Sequence, residues 1–339
     1  MNAKEQAQRR WDHVAKPLNS LGKLEKLIIQ IAGVQNTPDV HIDKRCALVF
    51  CADHGVVAEG VSQSGSEVTA LVAKSIADGT ANINLMAGVS HTDVFAVDMG
   101  MLNAVPCTID RRIAAGTQNM AQGPAMTRTQ VEQAIQAGVA LVGEMKTRGY
   151  QLIATGEMGI GNTTASTAIA CMLLECAPEV LTGRGAGLSD AGLLRKREAI
   201  TRALNINQPD PSDPLDVLAK VGGFEIAGMT GAFLGGIQHG VPIIIDGVIS
   251  AVAALAAARI CPAAADVMLP SHMSREPAMV RIMEELGVEP ILHADMALGE
   301  GTGAVALLPL LDMALQVYHG PHTFDDLGMA AYTPQEEQA

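Results

Sequence analysis

Short apolar runs, each stopped by an acid, a glycine or a histidine, recur along this chain. Cys46 to Cys51 is followed by Asp53-His54-Gly55. Asp93 to Val97 runs into Asp98-Met99-Gly100, and Leu152-Ile153-Ala154-Thr155 into Gly156-Glu157-Met158-Gly159. Pro242 to Ile245 ends at Asp246-Gly247, and Asp266 to Leu269 at Pro270-Ser271-His272. Runs this short and continuously apolar read as strands buried on both faces. Apolar residues at helical spacing fill the intervals, notably Thr129 to Thr147 and Asp190 to Leu204. Residues 3 to 33 also read as helical, with Leu21, Leu24, Leu27, Ile28 and Ile31 on one face. The pattern predicts an α/β fold: a mostly parallel sheet covered by helices on both sides.

Ligands of such sheets bind outside the carboxyl ends of the strands. Asp53, Asp98, Glu157, Asp246, His272 and Glu300 are therefore expected toward one rim. The helices near the two chain ends lie outside the strand pattern and are expected to pack together. No internal repeat and no long linker is evident.

Composition narrows the picture. Of 339 residues, 48% are hydrophobic but only 3% aromatic, so aliphatic side chains and 17 methionines must fill the core. The 34 glycines follow no fixed period and cluster in turns after apolar runs, which suits an α/β enzyme. A net charge of −13 argues against nucleic-acid partners, which need clustered Lys and Arg. The six cysteines form no C-x-x-C pair, and Cys46, Cys51 and Cys171 sit in apolar contexts. Buried free thiols are expected. The longest apolar stretch, Val241 to Ile260, is interrupted by Asp246 and Gly247. It reads as strand, turn and helix, with no membrane partner. The N-terminus is charged and lacks an apolar leader, so a cytoplasmic location is expected. Asp325, Asp326, Glu336 and Glu337 in the last twenty residues face no Lys or Arg there, which predicts a frayed tail.

Two turns carry candidate chemistry. In Leu298-Gly299-Glu300-Gly301-Thr302-Gly303 a carboxylate stands between residues with almost no side chain, ahead of an apolar run from Ala304 to Met313 that reads as a helix. In Gly156-Glu157-Met158-Gly159-Ile160-Gly161-Asn162-Thr163-Thr164 the arrangement repeats after a strand. Gly159 and Gly161 permit close backbone approach to a ligand, while Asn162, Thr163 and Thr164 offer caps and hydroxyls. Both glutamates are read as lying on strand-to-helix turns of one site. The second turn lacks the Gly-Lys-Ser/Thr of a Walker A loop, and position 164 is Thr where a dinucleotide fingerprint needs Gly or Ala.

The remaining candidates have plainer readings beside them. Lys196 on an amphipathic helix reads as solvated unless a phosphate needs a cation. Ser274 could hold phosphate through its hydroxyl or backbone. His272 and Glu276 lack a third ligand at metal-site spacing, so no metal is expected. His54 reads as a hydrogen-bonded rim residue. Lys16 to Glu25 reads as a break between helices, and Val61 to Thr69 as a polar loop.

These segments together resemble the nicotinate-nucleotide–dimethylbenzimidazole phosphoribosyltransferase family, from about Lys16 to about Leu315. The matching stretches are Lys16 to Glu25, Ala52 to Gly55, Gly60-Val61-Ser62, Gly116 to Met120 with Gly123 to Thr127, Gly156 to Thr164, Gly222 to Ile226, Asp246-Gly247, Ser271 to Pro277 and Leu298 to Ala304. The resemblance implies a Rossmann-like large domain, about 40–304, and a small helical domain from residues 1–35 and about 305–339. It implies a homodimer with sites near the subunit interface and no cofactor. The implied substrates are nicotinate mononucleotide and a benzimidazole-type base, which exchange nicotinate for the base with inversion at C1′. By the same resemblance Glu300 is the catalytic base, Glu157 the second acid and Lys196 the lysine near the phosphate. Gly247 and Ser274 fall on phosphate or ribose contacts. Ser62, Ser66, Met158 and Leu298 fall on the base pocket. The chain departs from many relatives at Ser64-Gly65-Ser66, where an aromatic-Pro-Gln run is common, so a roomier base pocket is expected. Two other readings are a nicotinamide-dependent oxidoreductase, opposed by the missing fingerprint, and a non-catalytic nucleotide-binding protein, which would not need two glycine-flanked glutamates.

Overall fold

The computed structural model describes residues 1–333. Glu336 and Glu337 of the expected frayed tail lie outside the described residues. The chain opens with α1 (Ala3–His13) and α2 (Lys23–Gln35), followed by β1 (Arg45–Ala52), α3 (Glu67–Ala77) and α4 (Asn82–Val89). Then come β2 (Asp93–Gly100), β3 (Ile109–Asp110), α5 (Arg128–Thr147), β4 (Leu152–Met158) and α6 (Asn162–Leu173). The chain continues through α7 (Pro178–Leu181), α8 (Asp190–Asn207), α9 (Pro214–Val221), α10 (Phe224–His239) and β5 (Ile243–Ile245). It closes with α11 (Val248–Ile260), β6 (Met268–Pro270), α12 (Ala278–Leu286) and α13 (Thr302–His319).

The strands form one sheet in the order β3-β2-β1-β4-β5-β6, every neighbouring pair parallel. That order belongs to the doubly wound nucleotide-binding sheets, whose ligands sit where the strand order reverses, here between β1 and β4. Strand β1 is buried along its whole length, and alternate residues serve opposite cores. Cys46, Leu48 and Phe50 face one core, with residues of α5, α6, α10 and α11. Ala47, Val49 and Cys51 face the other, with residues of α1, α2, α4 and α13. The chain-end helices thus pack against the sheet as well as with one another.

Small residues stand in for the missing aromatics. A Cβ on Gly138 of α5 would stand 2.0 Å from the Gly228 carbonyl oxygen of α10, so these two helices touch backbone to backbone. Close approach of this kind fills a core that has few large side chains.

The helical stretch over residues 3–33 is two helices, divided within the expected Lys16–Glu25 segment. Two expectations need correction. The last strand begins at Met268 because residues 262–267 form a 3-10 turn, and the two-residue β3 has no counterpart in the apolar pattern. Glu300 does not follow a strand. Gly299, Glu300 and Gly301 have φ of 88°, 62° and 92°, a left-handed succession that no strand accommodates.

Candidate active site

The carboxyl ends of β4 and β5, the start of α13 and the loop after β6 enclose a cleft of about 260 Å³. Glu157, Met158, Gly159, Asn162 and Thr163 form one wall, and Leu298 and Glu300 another. Gly247 and Ser274 also line it, with Asp246 and His272. Gly161 and Ser62 line a smaller adjoining cleft. Ser66 lines neither of these two and stands at the N-cap of α3. Asp53 and Asp98 turn away from the cleft to brace the loop after β2. Their carboxylates accept bonds from Leu102 N and Met101 N at 2.8 and 2.9 Å.

The turn carrying Glu300 is built from three sides. The carboxylate of Asp246, at the end of β5, accepts Ala304 N at 2.9 Å and Gly301 N at 3.2 Å. It therefore serves as the acidic cap of α13 from another strand. The Glu300 carbonyl presses on β4, where a Cβ on Gly156 would stand 2.5 Å from its oxygen. The Glu300 carboxylate accepts Ile83 N at 3.3 Å, in the first turn of α4. A non-glycine residue at positive φ carries strain of about 1–3 kcal/mol, and such strain persists only where the surroundings hold it.

Glu157 occupies the opposite environment. It is buried, the Asn162 side-chain amide donates to one carboxyl oxygen, and the other lies 2.8 Å from where a Gly299 Cβ would be. Burial pushes its carboxyl up to about 8, and the charges of Asp246, Glu225 and Glu300 add to the shift against the Asn162 bond. Near neutral pH Glu157 is mostly protonated. Asp246 is raised by burial too, opposed by the His272 charge and three backbone donors.

The solvated reading of Lys196 is overturned, since the residue is 0% exposed. Its ammonium donates to Thr163 Oγ1 at 2.9 Å and to the Gly183 carbonyl at 3.1 Å, which places it behind the cleft wall. Burial pushes it down to about 8, against the attraction of Glu276. Two of its three donors are used in these bonds. Glu276 also lines the cleft and accepts Gly185 N at 3.0 Å, which ties the 183–187 loop to the segment after β6. Ser274 Oγ accepts Glu276 N at 3.3 Å.

Sequence reasoning misses Ile83, Gly185 and the tie through Glu276. No local signal marks them, because their contacts span 217 and 91 residues of chain. His54 is hydrogen-bonded as expected, to Glu225 at 2.6 Å, though in the interior. Cys46, Cys51 and Cys171 are buried free thiols, as expected, while Cys107 is exposed. Among the described residues no helix is long and apolar enough to cross a membrane.

A phosphoribosyltransferase family model matches residues 1–329. The nicotinate-nucleotide–dimethylbenzimidazole phosphoribosyltransferase of Acetivibrio thermocellus is 44% identical over 330 residues, covering 97% of this chain and 94% of the relative. The enzyme of that name from Ruminiclostridium cellulolyticum is 44% identical over 334 residues, 98% and 95% of the two chains. The crystal structure of CobT from Thermus thermophilus superposes with a TM-score of 0.91 at 39% identity, over 97% of this chain and 99% of that one.

Proposed function

The chain belongs to the nicotinate-nucleotide–dimethylbenzimidazole phosphoribosyltransferase family, and on that premise we propose how its residues divide the transfer. The reaction moves the phosphoribosyl group of nicotinate mononucleotide to 5,6-dimethylbenzimidazole, for cobalamin nucleotide-loop assembly. It gives α-ribazole 5′-phosphate and nicotinate. The pyridine leaves from a cationic ring and needs no general acid. The incoming imidazole attacks C1′ through one nitrogen and must lose the proton on the other.

Glu300 takes that proton. Glu300 lines the cleft, and its carboxylate is held by Ile83 N. General-base assistance of this kind is worth about 10²–10⁴-fold. Glu157, protonated near neutrality, acts as a neutral hydrogen-bonding wall that seats the ring beside Glu300. Contrasting surroundings thus give the two carboxyls different roles, one as proton acceptor and one as a hydrogen-bonding seat. Lys196, Thr163, Gly159 and Ser274 receive the phosphate end, with Asn162 and Gly247 beside the ribose. Met158 and Leu298 flank the base.

The observation that carries this reading is the meeting of the two glutamate turns across Gly156 and Gly299. The test is incubation with nicotinate mononucleotide and dimethylbenzimidazole. Free nicotinate and an α-ribotide support the reading, and neither product forming would refute it.

We also infer a homodimer with sites near the subunit interface and a cytoplasmic location. The smaller domain comprises residues 1–35 and those from about 305 onward. Leu298 supports the dimer, since it lines the cleft yet is 51% exposed. Light scattering on the purified protein tests the dimer.

A further inference from the structure

Beneath the cleft lies a pair of side chains that neither lines it nor reaches solvent. His54 Nε2 is 2.6 Å from Glu225 Oε1, with side-chain exposures of 1% and 0%. His54 follows β1, and Glu225 stands in the first turn of α10, whose N–H groups favour an acid there. The second carboxylate oxygen of Glu225 has no hydrogen-bond partner.

Burying such a pair is a poor way to stabilise a fold, because desolvation offsets the attraction. Its place in the molecule is more informative. The imidazole is packed between two glycines. A Cβ on Gly223 would stand 2.3 Å from His54 Cε1, and one on Gly159 would stand 3.5 Å from His54 Cδ2. A Cβ on Gly161 would stand 3.2 Å from His54 Cβ. The His54 side chain therefore lies against the Gly159–Asn162 turn, beside the Ala52 carbonyl oxygen, which is 2.5 Å from where a Gly159 Cβ would stand. That turn is closed by Asn162 N donating to the Gly159 carbonyl at 3.1 Å, and the Asn162 side-chain amide donates to Glu157. A contact path runs from Glu225 through His54 and the turn to the Glu157 carboxyl.

We propose that His54 and Glu225 are positioning residues for the transfer: the pair fixes the height and tilt of the Gly159–Asn162 turn, and through Asn162 the orientation of Glu157 beside Glu300. Neither residue touches substrate. The inference rests on the assignment of Glu157 to the reaction.

The experiment compares the full-length protein with Glu225→Gln, Asn162→Ala and the double variant, measuring kcat and the KM of nicotinate mononucleotide. Glu225→Gln keeps volume and removes the charge that holds the imidazole. The expected result is a fall in kcat on the order of 10²-fold, the scale of a misplaced reacting group, exceeding the rise in KM of nicotinate mononucleotide, which the same turn receives. The double variant should be no slower than the slower single variant, since both changes break one path. A wild-type kcat in Glu225→Gln, or losses that multiply in the double variant, overturns the proposal. If Glu225→Gln fails to fold, His54→Gln tests the pair from its other side. It keeps a donor for Glu225 but removes the ring beside Gly159, and the same loss in kcat is expected. An active wild type beside an unaffected variant defeats this inference alone. A wild type that releases no nicotinate defeats the functional reading and this inference with it.

Discussion

The Glu300 carbonyl oxygen rests on Gly156, where a Cβ would stand only 2.5 Å away. The two glutamate turns, far apart in sequence, are therefore fitted to each other through a missing side chain. Gly156→Ala must displace the Glu300 turn or β4. The variant should remain folded and lose turnover on the order of 10²-fold, the effect of about 1 Å of misplacement. Steady-state kinetics with a circular dichroism control check this. Unchanged kcat would show that the turn can yield without consequence.

The burial of Glu157 makes stability depend on pH. Its folded-state value is raised from 4.5 to about 8, so between those values the native state holds the proton more strongly than the unfolded chain. Stability from this group is full below about 4.5 and is lost as pH rises through about 8. Glu157→Gln cannot ionise, so its Tm should fall less than that of wild type between about pH 4 and about pH 9, values that bracket this window. Thermal melts across that range decide it. Parallel Tm curves for the two proteins would mean that Glu157 is not held neutral by the fold.

Lys196 should serve one substrate only. Lys196→Met retains the apolar stem and removes the ammonium, and a hydrogen bond to a charged group is worth about 1.5–3 kcal/mol. Nicotinate mononucleotide should bind correspondingly more weakly, while the affinity for dimethylbenzimidazole stays near wild type. Calorimetric titration of each ligand separates the two. Equal weakening of both would place the lysine in a structural role.

The base pocket should be permissive. Ser66, expected at the base pocket, lines neither the main cleft nor the adjoining one. Apolar Val72, Met158, Ile160 and Leu298 remain at the cleft, and a methylene in such a pocket is worth only about 1–3 kcal/mol. Paired bases offered at equal concentration should both be consumed, purines or substituted benzimidazoles beside dimethylbenzimidazole. Near-exclusive use of dimethylbenzimidazole, read by chromatography of the products, would contradict this.

What the sequence reveals follows from how local each feature is. Strands β1, β2 and β4 are legible because burial on both faces leaves an unbroken apolar run. Two-residue β3 leaves no such run. Glu157 and Glu300 are legible through their glycines, yet the pattern wrongly puts a strand before Glu300. The left-handed path there is imposed by Asp246 from β5 and by Gly156 from β4. The burial of Lys196 is hidden for a related reason. Helical periodicity locates a polar face, but the residues that cover that face, Thr163 and Gly183, come from elsewhere in the chain.

The central claim is that Glu300 removes the ring proton, and Glu300→Gln tests it most directly. The amide preserves the shape of the side chain and can still face Ile83 N, so folding and mononucleotide affinity should stay near wild type. It cannot accept a proton, so single-turnover conversion to the α-ribotide should fall by about 10²–10⁴-fold. A variant that forms the ribotide at the wild-type rate would contradict the account.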